Sequence, residues 1–209
     1  MANSKMIVVE GAQGAGKTTI TDYIRYSLKY TNLYRLSGTS DSGVEGKEKA
    51  KEMYNVLLDY IKKMENKSIN LLFDRTFFSE ENYCRLGKKS YSFSDVYNDL
   101  LDRFSKMDFE IIYINLYLEN ENEYETRLNR ENKAVTDYSK FQADNSIKQQ
   151  KEYLKMAEEI KEKYPNIKVF NVRTDRDFEM VKKDICTILD IKWKTKINGE
   201  KRRKKEIYK

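Results

Sequence analysis

Apolar positions along this chain come in two spacings. Short unbroken runs mark strands: Met6 to Val9 inside Lys5 to Glu10, Leu33 to Leu36, Ile69 to Phe73, the run IIYINLYL beginning near Glu110, and Lys168 to Val172. Between them the apolar residues fall three and four apart, the period of a helix with one buried face. Ile20, Ile24 and Leu28 predict a helix over residues 17–30. Met53, Leu57, Tyr60, Ile61 and Met64 predict another from about Gly46. Val96, Leu100, Leu101 and Phe104 predict a third, with Ser94 as its N-cap. Two polar helices are expected over about 121–132 and 138–163, the second stopped at Tyr164-Pro165-Asn166, and a last helix over Phe178 to Leu189. Strands alternate with helices, and several strands are apolar throughout. A parallel sheet covered on both faces explains both facts.

Composition narrows the chemistry. The 209 residues suit one domain with a real core. No run approaches the ~18 apolar residues a membrane helix needs, and the start of the chain does not read as a secretory signal. With no histidine and only Cys84 and Cys186, far apart, the usual zinc sites and histidine bases are excluded. The expected setting is a reducing cytoplasm. The net charge of +6 is uneven: residues 192–209 hold nine Lys and Arg against two Glu, a net of +7, so the other 191 residues sum to −1. The basic end is read as a tail on a domain spanning residues 1–191. It has two readings, a solvated end or a weak contact for nucleic acid.

Directly after the first strand stands Gly11-Ala12-Gln13-Gly14-Ala15-Gly16-Lys17-Thr18, the spacing G-x-x-x-x-G-K-T. Its glycines let backbone N–H groups curl around phosphates, and the following helix presents its positive end. Lys17 reaches the β and γ oxygens, the Thr18 hydroxyl is placed to ligate Mg²⁺, and Thr19 completes the first helical turn. A strand before and a helix after are the context this loop requires. It marks a site for the phosphates of ATP and leaves the acceptor open.

The strand Ile69 to Phe73 runs into Asp74-Arg75. In a parallel sheet, ligands sit at the carboxyl ends of the strands, so this pair is expected beside the phosphate loop. Asp74 then serves Mg²⁺, and Arg75 offers a two-pronged fork to a phosphate. The alternative is a surface ion pair with Asp74 capping a helix.

These motifs together resemble the thymidylate kinases and the related deoxynucleoside kinases. VVEGAQGAGKTT is similar to their opening, and Asp74 to Tyr83 (DRTFFSEENY) looks like the family's D-R-x-x-x-S-x-x-x-Y. LENENEYETRLNR, residues 118–130, resembles the segment that carries lid arginines, here Arg127 and Arg130. The resemblance implies a three-layer α/β/α P-loop NTPase fold with a five-stranded parallel sheet and a helical lid over about 119–137. It implies transfer of the γ-phosphoryl of ATP, with Mg²⁺, to a (deoxy)nucleoside monophosphate, and a homodimer. Lys17, Arg75, Arg127 and Arg130 would be catalytic. Gln13, Arg35, Asp74, Arg75, Ser79 and Tyr83 would meet the acceptor, and Arg173 would border the donor adenine. Arg35 and Arg173 also read as ordinary surface arginines, and Phe77, Phe78, Tyr83 and Tyr54 read either as base-stacking rings or as core. The chain departs from the family pattern in three places. Gln13 replaces an acid, Leu36-Ser37-Gly38 replaces a Glu-Pro element, and Cys84 replaces a glutamine. The missing Glu-Pro glutamate favours a monophosphate acceptor, which needs no base. The alternatives are a deoxynucleoside kinase and, from the basic tail, a polynucleotide 5′-hydroxyl kinase or another nucleic-acid-associated P-loop protein.

Overall fold

A computed structural model describes residues 4–129 and 143–192. Five strands form one sheet: β1 (Lys5–Gly11), β2 (Thr31–Arg35), β3 (Asn70–Asp74), β4 (Glu110–Tyr117) and β5 (Lys168–Arg173). Their order across the sheet is β2-β3-β1-β4-β5, and every pairing is parallel. Seven described helices complete the fold: α1 (Lys17–Ser27), α2 (Val44–Met64), α3 (Phe77–Arg85), α4 (Ser94–Ser105), α5 (Glu123–Asn129), α6 (Ala143–Lys163) and α7 (Phe178–Ile188).

Side chains alternate across a strand, so one strand feeds two cores. Met6 and Val8 of β1, Leu71 and Phe73 of β3, and Ile111 and Tyr113 of β4 face one layer, with α2, α3, α4 and α6. Ile7, Val9, Leu72, Ile112 and Ile114 face the other, with α1 and α7. This is why the central strands read as continuous apolar runs: neither face meets water. Met6 to Val9 have no exposed surface at all.

The five expected strands are all present, with shifted ends. The second runs Thr31–Arg35 rather than through Leu36. Helix α3 had no apolar periodicity to announce it, because Ser79, Glu80, Glu81 and Asn82 are buried along with Phe77 and Phe78. Ser94 does not cap α4: Phe93 stands at the cap position, and the Ser94 hydroxyl donates to Glu81 Oε1 at 2.7 Å. The pull of a buried carboxylate outweighs the cap here. The phenyl rings of Phe77 and Phe78 and the ring of Tyr54 lie in the core, packed on one another and on Phe93, Tyr97 and Phe104, so they are not base-stacking surfaces. The expected helix over 138–163 begins at Ala143 among the described residues. Arg130, the rest of the expected lid up to residue 137, and the basic tail from residue 193 lie outside the described residues.

Candidate active site

The parallel order brings the ends of β1 and β3 side by side, with Val9 in register with Asp74 and the Arg75 N–H donating to the Val9 carbonyl at 3.2 Å. On the other side, Gly11 pairs with Leu116 of β4. Gly11 sits at φ +144°, and a Cβ there would stand 2.6 Å from the Leu116 carbonyl oxygen, so only glycine lets the chain leave the sheet at this point. Residues 12–16 then turn back into α1. No side chain caps α1, and no acidic residue occupies its first turn. Its first N–H groups and the positive end of its dipole therefore remain for an anionic ligand.

A cleft of about 460 Å³ opens over this loop. It collects residues from four separate stretches: Gln13, Gly14, Gly16, Lys17, Thr18 and Thr19 of the loop and α1, Arg35 and Leu36 after β2, Asp74 and Arg75 after β3, and Arg127 of α5. Gly11, Ala12 and Ala15 form its floor from beneath, and the side chains of both alanines are fully buried.

Charge is concentrated here. Lys17 is almost fully buried, and its Nζ donates to the Gly11 and Ala12 carbonyls at 2.8 Å each. Burial, aided by the positive charge of Arg75, lowers its pKa to about 7, against the pull of Asp74 and Glu10. An anion in the cleft would favour its charged form. Asp74 is buried, 3.6 Å from the Arg35 Nε, and Arg35 also pairs with Asp22 at 2.5 Å. Arg35 thus lines the cleft and is salt-bridged as well. Arg75 has φ +72°, a left-handed backbone rare for arginine and found where the surroundings force it.

Glu10 is the residue whose position the sequence undervalued. It is fully buried beneath the cleft. Its carboxylate accepts the Thr76 N–H at 2.7 Å, the Thr76 hydroxyl at 3.3 Å and the Ser79 hydroxyl at 2.7 Å. Burial nonetheless pushes its pKa up to about 7, in opposition to those hydrogen bonds and to Arg75 and Lys17. Ser79 also bonds Tyr153 at 2.8 Å. Glu10 closes the first apolar run and was visible in the sequence; its partners were not.

Arg127 bridges helix α5 to the loop. Its guanidinium donates to the Gly14 carbonyl at 3.3 Å and to the Thr174 carbonyl at 2.8 Å, and pairs with Glu123 at 3.3 Å. Thr174, which sequence reasoning passed over, ties the same region together by donating to the Ala15 carbonyl at 2.8 Å. Arg173 points elsewhere, paired with Glu119 and with Asp175. A side cavity of about 240 Å³ next to Gly16 and Thr19 is bordered instead by Arg176, Phe178 and Val181. Ser79 and Tyr83 line a separate cavity beyond Arg75, with Ser37 and Gly38. Cys84 is half-buried, and burial followed by the nearby Glu80 and Glu81 pushes its thiol up to about 12.

The fit to Mg²⁺ rests on donor chemistry. Thr18 and Asp74 both line the cleft and offer hard oxygen atoms, and no cluster of three or more His, Cys, Asp or Glu able to hold a metal occurs among the described residues. One or two protein oxygens completed by phosphate and water is the ordinary way a nucleotide-bound Mg²⁺ is held, so the residues present fit it.

By sequence, no family model and no curated protein matches the chain. By structure, many solved chains do. A thymidylate kinase from Candida albicans superposes with a TM-score of 0.64 at 15% identity, over 91% of this chain and 92% of that one. The YorR protein of Bacillus subtilis, solved with phosphorylated GDP, gives 0.62 at 17% identity, over 88% and 95%. A deoxyadenosine kinase from M. mycoides, solved with dCMP and dCDP, gives 0.57 at 19% identity, over 88% and 98%. The likeness spans nearly the full length of both partners, and the fold of this chain is that of the P-loop nucleotide kinases.

Proposed function

We propose that the protein is an ATP-dependent nucleotide kinase that moves the γ-phosphoryl of ATP to a (deoxy)nucleoside monophosphate. The observation that carries this reading is the meeting, in one cleft, of the phosphate loop with Asp74, Arg75 and Arg127. Arg75, held in a left-handed backbone beside the loop, offers a second phosphate a partner of its own. The neighbours' names point the same way, toward kinases of nucleotides and nucleosides.

The chemistry assigned to the chain is positioning and neutralisation, which is most of what phosphoryl transfer needs. Backbone N–H groups of residues 14–18 and Lys17 hold the donor phosphates. Arg75 holds the acceptor phosphate with its fork, in line with the donor. Arg127 lies over the loop and neutralises charge on the transferring group. When bound through Thr18 and Asp74, Mg²⁺ supplies charge neutralisation at the donor phosphates. The bond from the γ-phosphorus to the β,γ-bridging oxygen breaks, a bond from an acceptor phosphate oxygen forms, and ADP leaves. The acceptor oxygen is already ionised, so no base is required. Glu10, the acid nearest the loop in sequence, is fully occupied by Thr76 and Ser79 and is not available as one.

ADP release measured against the four deoxynucleoside monophosphates and the four deoxynucleosides tests the proposal. Turnover of a monophosphate is expected. Turnover of nucleosides alone would move the acceptor class, and oligonucleotide-stimulated ATP use with no mononucleotide turnover would replace the reading with a nucleic-acid kinase.

A further inference from the structure

Beyond Arg75 a second cavity, of about 510 Å³, lies between the segment after β2 and helix α3. It neighbours the phosphate cleft: Leu36 lines the one and Ser37 the other, and Arg75, which lines the first, is followed four and five residues later by Ser79 and Glu80, which line the second. A nucleotide whose phosphate meets Arg75 places its base here. The volume accommodates a purine.

Glu80 is the side chain in this cavity that best fits a reading role. It is 3% exposed, and its two oxygens have different surroundings. Oε1 accepts the Tyr91 hydroxyl at 2.6 Å and faces the Lys89 ammonium at 3.3 Å, while Lys89 is itself tied to the Thr39 and Asp41 carbonyls at 2.8 and 3.0 Å. The carboxylate is thus fixed from behind. Oε2 accepts no hydrogen bond from another described residue and lies against Gly38 on the opposite wall. A Cβ on Gly38 would come within 2.9 Å of it. Gly38 has φ +70°, so glycine is favoured there twice over, by its backbone and by the space it leaves above this oxygen.

A carboxylate can only accept. Thymine and uracil present one N–H between two carbonyl oxygens, which a carboxylate repels. Adenine and cytosine present one amino group beside a ring nitrogen that accepts. Guanine alone presents two adjacent donors, N1–H and the 2-amino group, one for Oε2 and one for the acceptor site that the Tyr91 hydroxyl leaves on Oε1. Resting on the kinase reading above, we propose that Glu80 reads the acceptor's base and that the base is guanine.

The test measures dissociation constants of dGMP, dAMP, dCMP and dTMP by calorimetry, for the wild-type protein, Glu80→Gln and Gly38→Ala, with thermal melts to verify folding. Wild-type protein is expected to bind dGMP at least about 10-fold tighter than dTMP. E80Q keeps the size of the side chain but adds a donor. It should weaken dGMP about 10-fold or more while leaving dTMP within about 3-fold. G38A reaches the same result from the other wall, by covering Oε2, and keeps the test decisive if E80Q fails to fold. Equal binding of dTMP and dGMP, tighter binding of dAMP or dCMP, or an equal loss for all four bases in E80Q would overturn the proposal. The kinase reading fails separately, through absent ADP release with every monophosphate. In that case the affinities of deoxyguanosine and thymidine decide whether Glu80 reads guanine.

Discussion

Gln150 of α6 joins helix α5 to the segment after β4, and its removal has a cost that the structure sets. Its Oε1 accepts the Leu118 N–H at 2.7 Å and the Tyr124 hydroxyl at 2.7 Å, and its Nε2 donates to the Leu118 carbonyl at 2.9 Å. Leu118, Tyr124 and Gln150 are all buried. Gln150→Ala therefore leaves three buried polar groups without partners, each costing about 1–3 kcal/mol, less whatever water enters the gap. A loss of about 3–5 kcal/mol follows. For a domain of this size that lowers Tm by roughly 10 °C, since 1 kcal/mol is worth about 2–4 °C. Tyr124→Phe removes one of the three bonds at both ends and should cost about 1 kcal/mol. In the double variant the Tyr124 hydroxyl is no longer stranded, so the two costs should fall short of additive by about 1 kcal/mol. Urea denaturation of the four proteins gives the cycle. Arg127 stands one turn after Tyr124 on α5, so Q150A should also lower kcat. A loss below about 1 kcal/mol for Q150A, or strict additivity, would refute the claim that this amide is the joint between α5 and the sheet.

Other outcomes follow from the same geometry. Arg75→Lys keeps the charge but loses the planar fork; kcat/KM for the monophosphate should fall by about 100-fold with ATP affinity little changed, in steady-state assays. Lys17 is depressed to about 7 by burial and Arg75, and phosphate binding raises it again. MgATP binding at pH 8 should therefore take up close to one proton, and at pH 6 almost none, measured by calorimetry in buffers of different ionisation enthalpy. Gly11→Ala drives a Cβ to 2.6 Å from the Leu116 carbonyl at a positive φ and should cost at least about 3 kcal/mol or prevent folding, read from soluble yield and urea midpoint. Glu10→Gln should remove a pH slope: with its folded pKa raised to about 7, wild-type stability falls as pH climbs from about 4.5 to 7, because the folded state holds the extra proton in that window. Melts of E10Q across that range should be flatter.

The strands were legible because each satisfies one rule: a strand buried on both faces must be apolar throughout. The phosphate loop was legible because its chemistry is local, eight consecutive residues between a strand and a helix. Asp74 and Arg75 could be placed beside it for a topological reason, since they end the strand that pairs with β1. Helix α3 was not legible. Its buried face is made of Ser79, Glu80, Glu81 and Asn82, polar residues held mostly by partners outside the helix: Ser79 by Glu10 and Tyr153, Glu81 by Ser94 as well as by Arg85 one turn on, Asn82 by the Gln149 carbonyl. Such pairings cross 13 to 74 residues of chain in several cases and leave no periodic trace. The same limit hid Thr174: the partners a loop residue finds, the Ala15 carbonyl for Thr174 and Glu119 and Asp175 for Arg173, do not follow from spacing.

Glu10 shows why a buried carboxylate persists at a cost. A hydrophobic side chain at the end of β1 would pack without desolvating a charge. It would leave the Thr76 N–H and the Ser79 hydroxyl without an acceptor, and it would cut the one side-chain link between the residue before the phosphate loop and the residues after Arg75. Those two segments carry the donor and acceptor halves of the proposed reaction. Phosphoryl transfer depends on holding the two phosphates at a fixed separation and in line, with tolerances well under an ångström. Backbone pairing of β1 with β3 sets that separation coarsely, to within the slack of a strand end. The Glu10 bonds, together with the Arg75 N–H on the Val9 carbonyl, remove the slack and hold Arg75 in its left-handed turn. The free energy lost to burying Glu10 is thus exchanged for position, and the strain at Arg75 and the charge at Glu10 have one common cause.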